Sequence, residues 1–447
     1  MNGFLLAATL AVGFLFSVWR IYLCPWSRFP GPKLAALSSW YEWYWEVHRK
    51  GKLTGHLEEL HNLYGPVVRY GPRHIHFNDP SLYKEIYRRN PTYAKDPTFY
   101  GTPRYPSTFR ETNIEKHSIR RYVLSRSFNA AGIQRRMPMI IDHYDSVMKK
   151  LDDLVETGHT TINIFNLSRS LAADVLSNYI TGSAFGCINE DDNGFDSMFV
   201  RAIQYSSDTY FENRNPFLLW WKRLVKSTRR NLPTGNKMLD EITFSDSLVK
   251  YYLSRRNELK EDEDHSVLAT LLRSDTRHNF QPLSKPELMA EGRSLLAAGV
   301  NTIGFALSAT LFYIAWDKEV QTFLQTELGV HESHVSESAP QQTITELPYL
   351  NACIKEGYRL SGTVNGRLPR VAGREGVHIG EYFLPEGTVF GMGNNACHMS
   401  PKVFEEPEKF MPMRWIDNDE STIQMMSANL HPYGWGPRQC LGEKCVT

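Results

Sequence analysis

Tyr433-Gly-Trp-Gly-Pro-Arg-Gln-Cys-Leu-Gly442 sets three glycines, Gly434, Gly436 and Gly442, around one cysteine, Cys440, with Arg438 two residues before it. Glycines let backbone N–H groups approach a single sulfur, and a nearby cation favours anionic groups. Both features predict a thiolate, the form in which cysteine binds a metal. A cysteine taken alone is more often a buried, inert thiol. The joint Gly-x-Arg-x-Cys-x-Gly spacing is much rarer, arising by chance in a chain of this length on the order of once in a thousand. The remaining cysteines (Cys24, Cys187, Cys353, Cys397 and Cys445) form no Cys-x-x-Cys pair. That excludes a zinc ribbon and a disulfide scaffold, and it suits a reducing compartment.

The elements that must hold this loop are mostly helical. Helical periodicity is expected near 56–63, 80–89, 112–127, 134–156, 163–180, 195–209, 285–316, 318–328 and 348–360. Pro66–Tyr70 and Arg73–Phe77 alternate as a short hairpin, and Gly376–Phe390 reads as a second hairpin around Leu-Pro-Glu-Gly. The stretch 91–111, rich in Pro, Tyr and Thr, is expected to be a long functional loop. Phe217-Leu-Leu-Trp-Trp221, flanked by Arg214, Lys222 and Arg223, suits either a membrane interface or a core helix fragment. The 447 residues are 42% hydrophobic and 22% charged with a net charge of +1, enough apolar material for a large core. Balanced charge argues against a nucleic-acid binder, and a mean hydropathy of −0.39 argues against a polytopic membrane protein. The fold class expected is mainly α with a small β portion.

The cysteine loop resembles that of the cytochrome P450 family, Phe-x-x-Gly-x-Arg-x-Cys-x-Gly, through Tyr433 (for Phe), Gly436, Arg438, Cys440 and Gly442. Three further family motifs follow the family's order: Ala298-Gly299-Val300-Asn301-Thr302, Glu356-Gly-Tyr-Arg359 and Phe410-Met-Pro-Met-Arg-Trp415. The resemblance implies haem b held by the Cys440 thiolate, which favours O–O cleavage. Arg438, His117, Arg121 and Arg370 are the implied propionate partners; His117 and Arg121, four apart, share one helix face. Glu356, Arg359 and Arg414 are implied to form a buried structural network. Thr302 and Asn301 would lie over the distal face as the catalytic pair, with Gly299 letting the helix open for oxygen and water. The family has an acid where Asn301 stands, and an amide cannot relay a proton by ionising. Leu295, Ala298, Gly299, Thr363 and Val364 are the expected pocket residues.

Residues 1–19 carry no charged side chain, while Arg20, Arg28 and Lys33 follow. This predicts a single-pass anchor over 1–23 with the remainder cytosolic, on the endoplasmic reticulum. A stiff proline-rich hinge is expected over 24–36, around Phe29-Pro-Gly-Pro32, and a catalytic domain over 37–447. Similarity to microsomal members, and to fungal enzymes of secondary metabolism, implies monooxygenation of a lipophilic, terpenoid or other secondary metabolite. It also implies NADPH–cytochrome P450 reductase as electron donor, with cytochrome b5 as a second, and no nucleic-acid partner. The alternatives are a haem-thiolate isomerase or dehydratase working without reductase, and a non-catalytic truncated gene product. The sequence stops seven residues after Cys440 (447 − 440). The expectation is therefore a P450-like fold lacking its C-terminal helix and strands.

Overall fold

The structure, a computed structural model, describes residues 2–89, 93–101, 106–209, 237–255, 265–332 and 346–446. The Trp220/Trp221 segment lies outside them. The helix Lys285–Trp316 is the spine of the domain and packs against Ile164–Thr181, Pro348–Ser361 and Lys237–Arg255. Ser284 and Glu287 form a reciprocal capping box at its start, with Pro286 in the first turn, where the missing N–H costs nothing. Asn163 caps Ile164–Thr181 by accepting from Phe165 N and Asn166 N. A Cβ on Gly299 would come within 2.3 Å of Leu176 Cδ1, so glycine permits the close crossing of these two helices. The helix is continuous through Gly299. The side of Gly299 on which a Cβ would stand is taken by Leu176.

The β portion draws on both ends of the domain. β1 (Val67–Arg69) and β2 (His74–Phe77) form the antiparallel hairpin expected, with Val67 opposite Phe77. β3 (Ala94–Lys95), β4 (Arg370–Val371) and β7 (Val389–Gly391) complete a five-stranded sheet in the order β1-β2-β7-β4-β3. The second expected hairpin is corrected. β5 (Val377–Ile379) and β6 (Tyr382–Leu384) pair around Gly380-Glu381 as a separate two-stranded ribbon. Leu384-Pro-Glu-Gly387 instead carries the chain over to β7, since Pro385 has no N–H with which to continue the ribbon.

The N-terminal helix Asn2–Val18 runs into a wider turn over Trp19–Leu23. Phe4–Leu23 is long and apolar enough to cross a membrane, and its residues are unburied. Part of the segment 24–36 is packed into the domain. Cys24, Trp26 and Phe29 are buried with Ile75, Phe77 and Phe390 in one core cluster. Arg69 N donates to Pro30 O at 2.7 Å, and Trp26 Nε1 donates to Thr388 Oγ1 at 2.8 Å. Arg69 Nη1 also reaches Arg20 O at 3.1 Å. The end of the apolar helix is therefore bound to the sheet.

Candidate functional site

The cysteine loop is closed by Cys440 N donating to Tyr433 O at 2.8 Å and Gln439 N donating to Gly436 O at 3.1 Å. Gly436 has φ +78° and lies so close to Tyr87 O that an added Cβ would stand 1.9 Å from it. Only glycine combines that backbone with that approach. Gly442 lies beside the sulfur, its Cβ position 3.9 Å from Cys440 Sγ. Tyr433 meets Tyr358 of Pro348–Ser361 with ring centres 5.6 Å apart. Leu441 and Leu295 pack against one core cluster that also holds Val123, Leu124 and Leu296. The cluster joins the loop to the central helix and to Ile114–Ser125.

Cys440 is exposed to solvent, yet the protein packed around it desolvates the thiol and raises its pKa. The Gly442 N–H, Arg121 and the Glu443 N–H pull the other way and do not win. Glycine and arginine alone therefore do not hold the free sulfur as a thiolate. Metal ligation would supply the missing stabilisation.

Above the loop, five basic side chains converge. Lys95 and Arg370 stand opposite one another on β3 and β4. His117 and Arg121 come from Ile114–Ser125, and Arg438 from the loop. Lys95, His117 and Arg370 are buried. Burial, then Arg438, Lys95, Arg121 and Arg370, push His117 down to about 3. Burial and Arg370 push Arg438 down to about 10. Lys95 is driven well below its ordinary value by burial and by Arg370, Arg438, Arg110 and Arg121. Arg438 Nη1 donates to Glu111 O at 2.7 Å, but its Nε and Nη2 are buried without a hydrogen-bond partner. Arg370 Nη1 donates to Leu368 O, and its guanidinium lies 4.8 Å from the Tyr87 ring centre. Lys95 Nζ donates to Phe109 O at 2.6 Å, between the rings of Tyr100 and Phe109. A buried basic cluster in which two donors of Arg438 have no acceptor suits an anionic ligand. The two carboxylates of a haem beside the cysteine loop fit that role. Lys95 was not singled out from the sequence, because its meaning comes from facing Arg370 across the sheet.

Thr302 Oγ1 donates to Ala298 O at 2.6 Å, while Asn301 Oδ1 is buried without a partner. Ala298, Thr302 and Leu295 share one helical stripe with Glu291. Glu291 is buried and accepts from Thr108 N at 2.8 Å and Thr108 Oγ1 at 2.9 Å, tying the loop before Ile114 to the central helix. Thr363 and Val364 lie in the turn after Gly362, with Val364 half-exposed. Away from this face, Glu356 accepts from Arg359 Nη2 at 2.7 Å, Arg414 Nε at 3.1 Å and Trp415 Nε1 at 2.9 Å. Glu356 and Arg359 are fully buried and Arg414 nearly so.

The chain matches the Cytochrome P450 family over residues 33–445. It is 59% identical over 340 residues to the cytochrome P450 monooxygenase-like protein avaN of Aspergillus versicolor, covering 76% of this chain and 91% of that protein. It is 30% identical to the N-acetyltryptophan 6-hydroxylase ivoC of Emericella nidulans, over 98% of this chain and 86% of that protein. Identity to the cytochrome P450 monooxygenase macH of Penicillium terrestre is 31%, over 95% and 84%. The cysteine loop, the basic cluster and these relationships agree: the chain is an enzyme belonging to the cytochrome P450 family.

Proposed function

We propose that the chain is a membrane-anchored monooxygenase acting on a lipophilic secondary metabolite, with haem b held between the Cys440 loop and the central helix. The observation that carries this reading is the convergence of Lys95, His117, Arg121, Arg370 and Arg438 beside the cysteine loop, with two donors of Arg438 unpaired. Cys440 Sγ would ligate iron, and the basic side chains would hold the propionates by charge-assisted hydrogen bonds. The bound haem supplies activation of O₂. One oxygen atom enters the substrate and the other leaves as water, with two electrons from NADPH through a separate reductase.

The protein's own part is to position and to handle protons. Asn301 can accept at Oδ1 and donate at Nδ2 but does not ionise, so protons must arrive through water hydrogen-bonded to it and to Thr302 Oγ1. Glu291 fixes the loop edge at Thr108, and the apolar stripe through Leu295 and Ala298 favours an apolar substrate. The unburied helix Phe4–Leu23 supports a bilayer anchor on the endoplasmic reticulum, where lipophilic compounds and the reductase, with cytochrome b5, would be at hand. The test is turnover in vesicles with NADPH, reductase and isotopically labelled O₂ against a panel of terpenoid, indole and polyketide compounds. One labelled oxygen per product supports the proposal. Conversion without NADPH and reductase would instead point to rearrangement or dehydration.

A further inference from the structure

The short helix Asn395–His398 and its preceding residue Asn394 lie under the entrance to the cysteine loop. Two side chains from this turn hold the two backbone polar groups of one residue, His431. His431 N–H donates to His398 Nε2 at 2.8 Å, and Asn394 Nδ2 donates to His431 O at 2.9 Å. All three residues are buried. Tyr83 completes the grip. Its ring stacks on the His431 imidazole with centres 4.5 Å apart, and its hydroxyl donates to Asn394 Oδ1 at 2.6 Å. That second bond fixes which way the Asn394 amide faces.

The backbone of His431 belongs to the same hydrogen-bonded stretch as the cysteine. His431 O also accepts from Gly434 N at 3.1 Å, and Tyr433 O accepts from Cys440 N at 2.8 Å. On its other side the clamp touches the buried ion-pair network, because His398 O accepts from Arg359 Nη1 at 3.0 Å. We infer that His398 and Asn394 are positioning residues that set the backbone of His431 and, through it, the place of Cys440. The inference rests on Cys440 being the iron ligand. It gives the Glu356–Arg359–Arg414 network a route to the site that neither motif shows by itself.

The clamp needs a neutral imidazole. With Nε2 accepting, the proton of the ring sits on Nδ1. Protonation would place a donor against the His431 N–H. Burial, with His431 and Arg359 adding to it, pushes His398 down to about 3, so the acceptor persists at any ordinary pH.

The test uses the full chain loaded with haem and reads the absorption of its reduced carbon monoxide complex, which separates thiolate-ligated from other haem. His398→Phe keeps the bulk and deletes the acceptor, Asn394→Ala deletes the other prong, and His398→Gln can place an amide oxygen where Nε2 lies. His398→Phe and Asn394→Ala should raise the ratio of non-thiolate to thiolate complex by about five- to a hundredfold, the range expected for one unsatisfied buried group. His398→Gln should stay near wild type. If His398→Phe fails to fold, Asn394→Ala against His398→Gln decides. A merely structural role would lower the melting temperature of both variants and leave the spectrum of the folded protein unchanged; that result overturns the inference alone. A wild-type chain that takes up haem without the thiolate spectrum overturns the Cys440 reading and this inference together.

Discussion

Replacing Glu356 with alanine isolates a fully buried ion-pair network. Its carboxylate accepts five hydrogen bonds: two from Arg359, one from Arg414 and one each from Met411 N and Trp415 Nε1. Arg359 is wholly buried and Arg414 nearly so. Glu356→Ala leaves two guanidiniums and an indole N–H without their acceptor. Arg359 keeps carbonyl acceptors at His398 O and Lys409 O, so the guanidinium stays hydrogen-bonded but loses its counter-charge. Removing one partner of a buried pair costs roughly 3–5 kcal/mol. Complete burial places this case toward the upper end, a large part of a typical net stability of about 5–15 kcal/mol. Glu356→Gln keeps the volume but turns a donor toward a cation, so its loss should fall within about 1 kcal/mol of the alanine variant. The assay is urea unfolding of the haem-free protein followed by far-ultraviolet circular dichroism. A loss below about 1 kcal/mol for Glu356→Ala would refute the reasoning, since that is the scale of an exposed pair.

Acid should destabilise the haem-free protein through its buried histidines. His117, His398 and His431 sit at about 3, 3 and 4 against an ordinary 6.5, chiefly because burial disfavours the charged ring. Below pH 6.5 the unfolded chain binds more protons than the folded one, so stability falls with pH and levels off near pH 3–4; between pH 7 and 5 each group costs about 2 kcal/mol. Denaturant midpoints across that window check this, and a flat profile contradicts it. Lys95→Met relieves repulsion within the cation cluster while removing a propionate donor. The haem-free protein should melt higher, and haem should dissociate about 10- to 100-fold faster, the range for one hydrogen bond to a charged group. Stopped-flow transfer of haem to an acceptor protein measures it, and an unchanged rate would remove Lys95 from the site. Gly436→Ala sets a Cβ on Tyr87 O at an αL backbone, so the variant should fold and lose haem on gel filtration; full haem retention would count against the loop geometry.

Motifs whose parts are adjacent in sequence were readable without a structure. The spacing of Gly436, Arg438 and Cys440 already encodes a loop closed by local hydrogen bonds, and Glu356 to Arg359 is one turn of helix. The extent of the spine Lys285–Trp316 was equally legible, because its apolar pattern is long. Contacts made by distant segments were not. Lys95 looks like any loop lysine until β3 pairs with β4 and sets it against Arg370. Cys24, Trp26 and Phe29 read as hinge residues because proline follows them, yet their side chains fill the core beside the sheet. The raised pKa of the free Cys440 thiol was not legible either, for an energetic reason. Counting nearby donors and cations omits desolvation, which here outweighs them.

The central claim is that Cys440, within this cation-lined site, ligates haem iron as a thiolate. Its most direct measurement is the carbon monoxide difference spectrum of the reduced, haem-loaded full chain beside Cys440→Ser. A thiolate-type Soret band is expected in the wild type and none in Cys440→Ser. Haem uptake without that band in the wild type, or the same band in both proteins, would contradict that ligation.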